Sequence, residues 1–277
     1  MLINRILLPP MHLKQPRGNR VAHASSTHVV IMPSYNSGLR LVQSVSAARQ
    51  AWNPVWVVVD GSTDGSDAAL AEFAKSDDGI VVINLPCNSG KGAAVLRGLI
   101  EASSRGFTHA VTMDADGQHP ADRITEFVAQ SMQHPDAMIL GTPIFDASAP
   151  ALRVRGRRVS NGWANLETLW SGVGDSLFGM RAYPIQPLLS IMNRTRWMRR
   201  YDFDAEAAVR MVWAGVPPIN LPTPVRYFRP EEGGVSHFRY GRDNVLLTWM
   251  HARLFLEFLL RLPVLMVRRM RLAKTDG

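Results

Sequence analysis

Cysteine is nearly missing from this sequence: Cys87 is the single one among 277 residues. That excludes an internal disulfide framework, and with no metal-ligand partner at a motif spacing, Cys87 points to a reducing compartment. Long apolar runs are missing as well. The short run within residues 1–10 is broken by Arg5 and Pro9, which is too interrupted for an export signal. Residues 254–267 are interrupted by Glu257, Arg261 and Pro263, and fall short of the roughly 20 residues that a membrane-spanning helix requires. Two phosphate-binding fingerprints are also lacking. No glycine stands five residues before Gly90, and Gly92 occupies the place of the Walker Ser or Thr. No Gly-x-Gly-x-x-Gly follows the first apolar run either, which argues against a dinucleotide-binding dehydrogenase. Without a helix-turn-helix or zinc motif, and with basic residues not interleaved with stacking aromatics, a nucleic-acid partner is not expected.

What is present is a chain of 46% hydrophobic residues, enough to bury one large α/β core. Lys and Arg outnumber Asp and Glu by 31 to 23, a formal charge of +8, which suggests an anionic partner. Residues 1–26 read as a mobile polar leader, residues 27–243 as the folded domain and residues 244–277 as a basic tail. From His28 the pattern cycles between buried, β-branched runs and helical spacing. The expected strands cover 28–32, 55–59, 80–85 and 109–113, with helices between them. Such alternation implies a mostly parallel sheet covered by helices on both faces.

In open sheets of this kind ligands bind beyond the carboxyl ends of the strands. Four polar segments stand there: Pro33-Ser34-Tyr35-Asn36, Asp60-Gly61-Ser62-Thr63-Asp64, Asn88-Ser89-Gly90-Lys91-Gly92 and Asp114-Ala115-Asp116-Gly117-Gln118-His119. Asp114 and Asp116, two apart after a buried run, aim two carboxylates at one place. Hard oxygen ligands suit Mg²⁺ or Mn²⁺, with Gln118 or His119 as a further ligand; a solvated acidic turn before Pro120 is the plainer alternative. Asp60 is placed to accept hydrogen bonds from a base or ribose, while Asp64 suits a helix cap. The glycines around Lys91 let backbone approach a diphosphate whose charge the ammonium offsets.

Taken in order, these segments resemble the family 2 glycosyltransferases, particularly the branch of dolichyl- and polyprenyl-phosphate sugar synthases. The likeness continues through Asp175-Ser176-Leu177-Phe178-Gly179-Met180-Arg181 and Ser236-His237-Phe238-Arg239. The resemblance implies a GT-A fold and an inverting transfer from a UDP- or GDP-linked sugar to a lipid or glycan acceptor, aided by Mg²⁺ or Mn²⁺. On that pattern Pro33, Tyr35, Asn36, Asp60, Lys91, Asp114 and Asp116 meet the nucleotide sugar, while Asp114, Asp116 and Gln118 hold the metal. Asp116 with Asp204 or Glu206 is catalytic, one of the latter pair deprotonating an acceptor hydroxyl. Asp175, Arg181 and His237 shape the acceptor side.

Two departures stand out: Val59 precedes Asp60 where many relatives carry a second aspartate, and Pro143 follows Gly141-Thr142 where lipid-phosphate enzymes carry an arginine. Arg153, Arg155, Arg157 and Arg158 read as a cationic loop that replaces it, with Arg155 and Arg158 facing the acceptor, or as a solvated basic surface. After Ser160 a helix is expected. In the tail, Arg253, Glu257, Arg261, Arg268 and Arg271 fall on one helical face, which fits amphipathic helices lying in the headgroup plane, or two helices split at Pro263 that cover the domain. A peripheral place on the inner face of the cytoplasmic membrane follows. The rival of another class is a catalytically idle nucleotide-sugar sensor or scaffold.

Overall fold

The computed structural model describes residues 24–38, 40–145, 151–226 and 240–275. Strands β1 (His28–Ser34), β2 (Val55–Asp60), β3 (Ile80–Leu85) and β4 (His109–Thr112) alternate with helices α1 (Arg40–Ala51), α2 (Ser66–Ala74) and α3 (Lys91–Ser104). A 3-10 turn at Ala121–Arg123 leads into α4 (Ile124–Gln133), β5 (Met138–Ile144) and α5 (Ala151–Glu167). Then come β6 (Arg181–Pro184), α6 (Ile185–Asn193), α7 (Phe203–Ala214), β7 (Pro218–Pro224) and α8 (Tyr240–Thr275).

The strands form one seven-stranded sheet in the order β3-β2-β1-β4-β6-β5-β7. Every neighbouring pair is parallel except those of β6, which runs antiparallel to β4 and β5. Side chains alternate across β1, so Val29 and Ile31 join one core while Val30 and Met32 join the other. The first core receives Val95 and Leu99 of α3, Leu188 of α6, Phe203 of α7 and Met250 of α8; the second receives Leu41 and Val45 of α1, Leu70 of α2 and Phe127 of α4. The sheet is therefore covered on both faces, as the alternating pattern implied.

Two expectations need correction. The arginines at 153, 155, 157 and 158 belong to α5, which starts nine residues before Ser160, not to a loop. Ala, Arg and Leu are good helix formers and no proline interrupts the segment, so the local preference outweighs Gly156 and Gly162. The tail does not split at Pro263: one helix continues through it, and the charges near its middle, Arg253 and Glu257, face α7. Arg253 grips Glu206 of α7 at 2.9 and 2.7 Å, and Arg210 of α7 reaches Glu257 at 2.8 Å. The outward side carries Leu256, Leu260 and Val264. Sequence periodicity located the charged stripe, but could not say that buried carboxylates of α7 were waiting for it. Residues 1–23 of the expected leader, together with His237 and Arg239, lie outside the described residues.

Candidate functional site

The parallel strands place the chain after β1, β2, β3 and β4 along one edge of the sheet. Because β6 runs the opposite way, its first residue, Arg181, pairs with Thr112, the last residue of β4. The segment before β6 thus reaches the same edge. There the Thr112 hydroxyl donates to the Gly179 carbonyl at 3.0 Å.

At the centre stands Lys91, the first residue of α3. Its ammonium lies 2.7 Å from Asp114 Oδ1 and 2.7 Å from Asp204 Oδ2, with only 13% of the side chain exposed. Asp204, the second residue of α7, leaves its other oxygen, Oδ1, buried without a hydrogen-bond partner. Gly179 makes this closeness possible. A Cβ there would stand 2.6 Å from Lys91 Nζ and closer still to Asp114 Oδ2.

Burial alone would pull the Lys91 ammonium down, but the charges of Asp114 and Asp204 outweigh it and hold the group well above its ordinary range. Burial would likewise raise Asp114, yet Lys91 brings it below the usual carboxylate value. Asp116 moves the other way, raised by burial and by the Asp114 charge. Its Oδ1 accepts from the Gln118 amide at 2.9 Å. His119 is buried and kept neutral by that burial. Its Nδ1 accepts the Asp114 amide proton at 3.0 Å, so its remaining proton sits on Nε2. With Nδ1 committed and the ring packed edge-on to Phe178 at 4.6 Å, His119 braces the Asp114 turn.

The neighbouring loops are tied to one another. Asp60 accepts from the Ser89 amide at 2.8 Å and the Gly90 amide at 2.7 Å, stitching the end of β2 to the entry of α3. Gly90 has φ 104°, which an L side chain rarely adopts, and a Cβ there would meet Arg200 Cγ at 2.7 Å. Its lack of a side chain therefore admits the 198–200 segment, whose Arg199 carbonyl accepts from the Ala93 amide at 3.0 Å. Asp202 holds that segment from the other side, accepting from the amides of Met198 and Arg200. Asn36 bonds across to the next loop: its amide donates to Ser62 Oγ at 3.0 Å and its Oδ1 accepts from the Thr63 amide at 2.7 Å. Asp64 accepts from the Ser66 amide at the start of α2, the capping contact expected of it, and from Gly38. Pro33 lies buried in β1 and Tyr35 half-buried after it.

Comparison with known proteins decides the family. The model described as glycosyl transferase family 2 matches residues 29–203. The chain belongs to that family. This glycosyltransferase is similar to the polyprenol monophosphomannose synthase of Mycolicibacterium smegmatis, 30% identical over 220 residues, covering 75% of this chain and 79% of the relative. It is 25% identical over 197 residues to the UDP-N-acetylglucosamine–dolichyl-phosphate N-acetylglucosaminyltransferase of Methanococcus voltae, covering 65% and 78%. Among solved structures, glucosyl-3-phosphoglycerate synthase from Mycobacterium tuberculosis, in complex with Mn²⁺, UDP-glucose and phosphoglyceric acid, superposes with a TM-score of 0.58. That likeness spans 84% of this chain and 79% of the other at 15% identity, and it shows the GT-A fold.

The glycosyltransferase's remaining candidate residues are placed as follows. Asp175 is buried; its Oδ1 accepts from the amides of Leu177 and Phe178 and from Arg157 at 2.6 Å. Arg181 does not pair with that carboxylate. Fully buried, it donates to the carbonyls of Phe178, Asp175 and Asp204 and to the Tyr183 hydroxyl. Both residues brace the turn that carries Gly179. Arg155 and Arg158 are exposed on α5.

Glu206 is not placed to act as a base. It is fully buried and engaged by Arg210 at 2.7 Å and by both terminal nitrogens of Arg253. Two positions beyond Asp204 on a helix, it points to the far side of α7. Sequence reasoning missed Gly179 and Tyr183 as parts of the site. Gly179 lies inside the quoted motif, but only the approach of β6 to Lys91 reveals its use.

The donor set fits a hard divalent cation. Asp114, Asp116 and Asp204 supply more carboxylate than Lys91 neutralises, as the raised Asp116 and the unpartnered Asp204 oxygen both indicate. Among the described residues no group of three or more His, Cys, Asp or Glu is arranged to enclose a metal. Magnesium commonly uses one or two carboxylates and takes its other ligands from water and phosphates.

Proposed function

We propose that this glycosyltransferase moves a sugar from a UDP- or GDP-linked donor to the phosphate of a polyprenyl phosphate, with inversion at the anomeric carbon. The observation that carries the reading is the Lys91 ammonium suspended between Asp114 and Asp204 at the strand-end edge. The names of the two relatives, both acting with a polyprenol or dolichyl carrier, support the acceptor class.

The Pro33-to-Asn36 loop, Asp60 and Lys91 form the donor's cradle. Asp114 and Asp116 would hold Mg²⁺ or Mn²⁺, with Gln118 beside them, and a cation held there would supply Lewis-acid stabilisation of the leaving diphosphate's charge. Lys91 turns its charge toward the same phosphates. An acceptor oxygen lone pair forms the new bond to the anomeric carbon while the bond to the diphosphate oxygen breaks, its electrons leaving with the nucleotide. A phosphate monoester is largely ionised at neutral pH, with a second pKa of about 6, so its oxygen attacks without a base. Asp204 then serves to hold Lys91, and the braced Asp175–Arg181 turn fixes the acceptor side by alignment.

The unpartnered Asp204 oxygen favours one other reading, a hydroxyl acceptor on a lipid or glycan with Asp204 as its base. In both, residues 27–243 make the catalytic unit and residues 244–277 the tail. The protein works from the inner face of the cytoplasmic membrane. Among the described residues no helix is long and apolar enough to cross one. The deciding experiment is transfer from a panel of UDP- and GDP-sugars to polyprenyl phosphate and to the free polyprenol, with and without Mn²⁺ or Mg²⁺. Metal-dependent labelling of the phosphate lipid alone is expected. Labelling of the alcohol, abolished in Asp204→Asn, moves the assignment to the hydroxyl reading, and absence of turnover with every donor sinks both.

A further inference from the structure

Helix α8 has its polarity reversed relative to an ordinary surface helix. Arg253 and Glu257 lean inward onto α7, and His251 lies buried against Glu167 of α5 at 3.0 Å. Outward stand Val245, Trp249, Leu256, Leu260, Val264 and Val267, exposed by 45% to 83%. Their spacing of three, four or seven keeps them in one stripe along the helix. Between residues 245 and 267 the exposed positions include one charge, Arg261, which is tied to Glu257 at 2.7 Å. At 1.5 Å per residue the stripe extends over roughly 30 Å.

The charge of the chain is concentrated on the same part of the molecule. Helices α5 and α8 hold eleven Lys and Arg against three Asp and Glu, a net +8 that equals the formal charge of the entire chain. The rest of the sequence is balanced. None of those three acids is exposed: Glu167 and Asp243 are buried and Glu257 is half-buried in its ion pairs. Arg155, Arg158, Arg242 and Arg269 are exposed. The two helices pack together through Trp163, whose ring meets Phe255 at 5.7 Å and His251 at 6.3 Å, and Trp170 just past α5 is 64% exposed.

We propose that this face seats the protein on an anionic bilayer, with the outward stripe of α8 lying in the headgroup–acyl boundary and the exposed Arg155, Arg158, Arg242 and Arg269 among the headgroups. This deepens, and rests on, the lipid-acceptor reading above. It assigns to lipid contact the apolar side of α8 and not its charged stripe. An apolar face bordered by basic residues, with exposed tryptophans at its margin, matches the interfacial region of a membrane. A second copy of the chain does not. Apposing two such faces would bring together two surfaces that each expose Arg155, Arg158, Arg242 and Arg269 with no exposed acid of α5 or α8 to offset them.

The test is flotation of the full chain with vesicles of phosphatidylcholine alone and of phosphatidylcholine with about one-third phosphatidylglycerol, at low and high salt. The wild type is expected to float with the anionic vesicles, less so as salt rises. The double variant Leu260→Glu/Val264→Glu should lose at least about tenfold in partitioning, because two charges are forced into the boundary. Both positions are exposed, so its melting temperature should stay unchanged. Brominated acyl chains should quench an emission component that Trp249→Phe removes. Wild type that stays at the bottom of the gradient, or a double variant that floats as well as wild type, overturns the seating. So does a solution dimer that the double variant dissociates while neither protein binds vesicles, since the occupant is then a second copy. Turnover of a short, water-soluble prenyl phosphate by the double variant should match wild type. If the wild type floats but transfers to no prenyl phosphate, the seating stands and the acceptor assignment falls.

Discussion

Gly179→Ala tests the geometry of the site without removing any of its chemical groups. The new methyl carbon would lie 2.6 Å from Lys91 Nζ and 3.0 Å from the Asp114 carboxyl carbon. An ordinary contact is about 3.5 Å, so the ammonium and carboxylate must retreat by about 1 Å. Both are the far ends of side chains, and Gly179 has no left-handed φ that would strain an alanine. Gly179 is buried, and overpacking such a site costs about 1–3 kcal/mol; the retreat of two side-chain ends should keep the loss near the lower figure. A displacement of about 1 Å at reacting groups costs about 100-fold in rate, or about 2.7 kcal/mol of barrier. The measurement is kcat and KM for donor and acceptor beside a thermal melt. A fall in kcat/KM near 100-fold is expected, with the melting temperature lowered by only about 2–4 °C. Activity within about twofold of wild type would refute the placement of Lys91 and Asp114 at the reacting centre, and a collapse of the melt would show that Gly179 serves packing instead.

Three further outcomes follow from the buried charges. Glu206→Gln leaves Arg253 without its carboxylate, and breaking such a buried pair costs about 3–5 kcal/mol; a large drop in melting temperature is expected, with turnover retained below the transition. Complete loss of turnover in a folded Glu206→Gln protein would restore that residue as a base. Lys91→Met leaves Asp114, which Lys91 holds below the usual carboxylate range, buried beside Asp204 without a cation, so the folded-state pKa of Asp114 rises above its unfolded value. Asp114 then takes up its proton in the folded state first, so the variant should be stabilised as pH falls from 7 toward 4, whereas an unchanged pH profile relative to wild type contradicts the ion pairing. His28 is held near pKa 4, against 6.5 for the model imidazole, by burial and by His109 stacked at 4.7 Å. The unfolded chain takes up that proton first, so stability is lost as pH falls from about 6.5 to 4. The loss is about 3 kcal/mol in full at 1.36 kcal/mol per pH unit, and urea unfolding of His28→Gln should lack it.

The parts of the fold that sequence could reveal are those decided locally. The strands β1 to β4 stand within two residues of where apolar periodicity placed them, with helices α1 to α3 between them as expected, because fully buried parallel strands read as unbroken β-branched runs. Strand β6 gave no such signal: four residues, Arg181-Ala182-Tyr183-Pro184, are too few to show a period. Yet β6 is what brings Gly179 and Arg181 to the edge that carries the candidate site. Asp114, Lys91 and Asp204 were each legible as candidates, from position at a strand end or from motif. Their meeting was not, since Lys91 and Asp204 are 113 residues apart. The same limit hid the fate of Glu206, whose partner Arg253 lies 47 residues further on.

Helix α7 has two ends of one task within a single turn. Asp204 faces Lys91, and Glu206 on the opposite side is clasped by Arg253 of α8. A hydrogen-bonded helical turn does not stretch, so these residues cannot be adjusted separately. One turn of α7 thus joins the candidate cluster around Lys91 to the long helix whose other side is the outer surface.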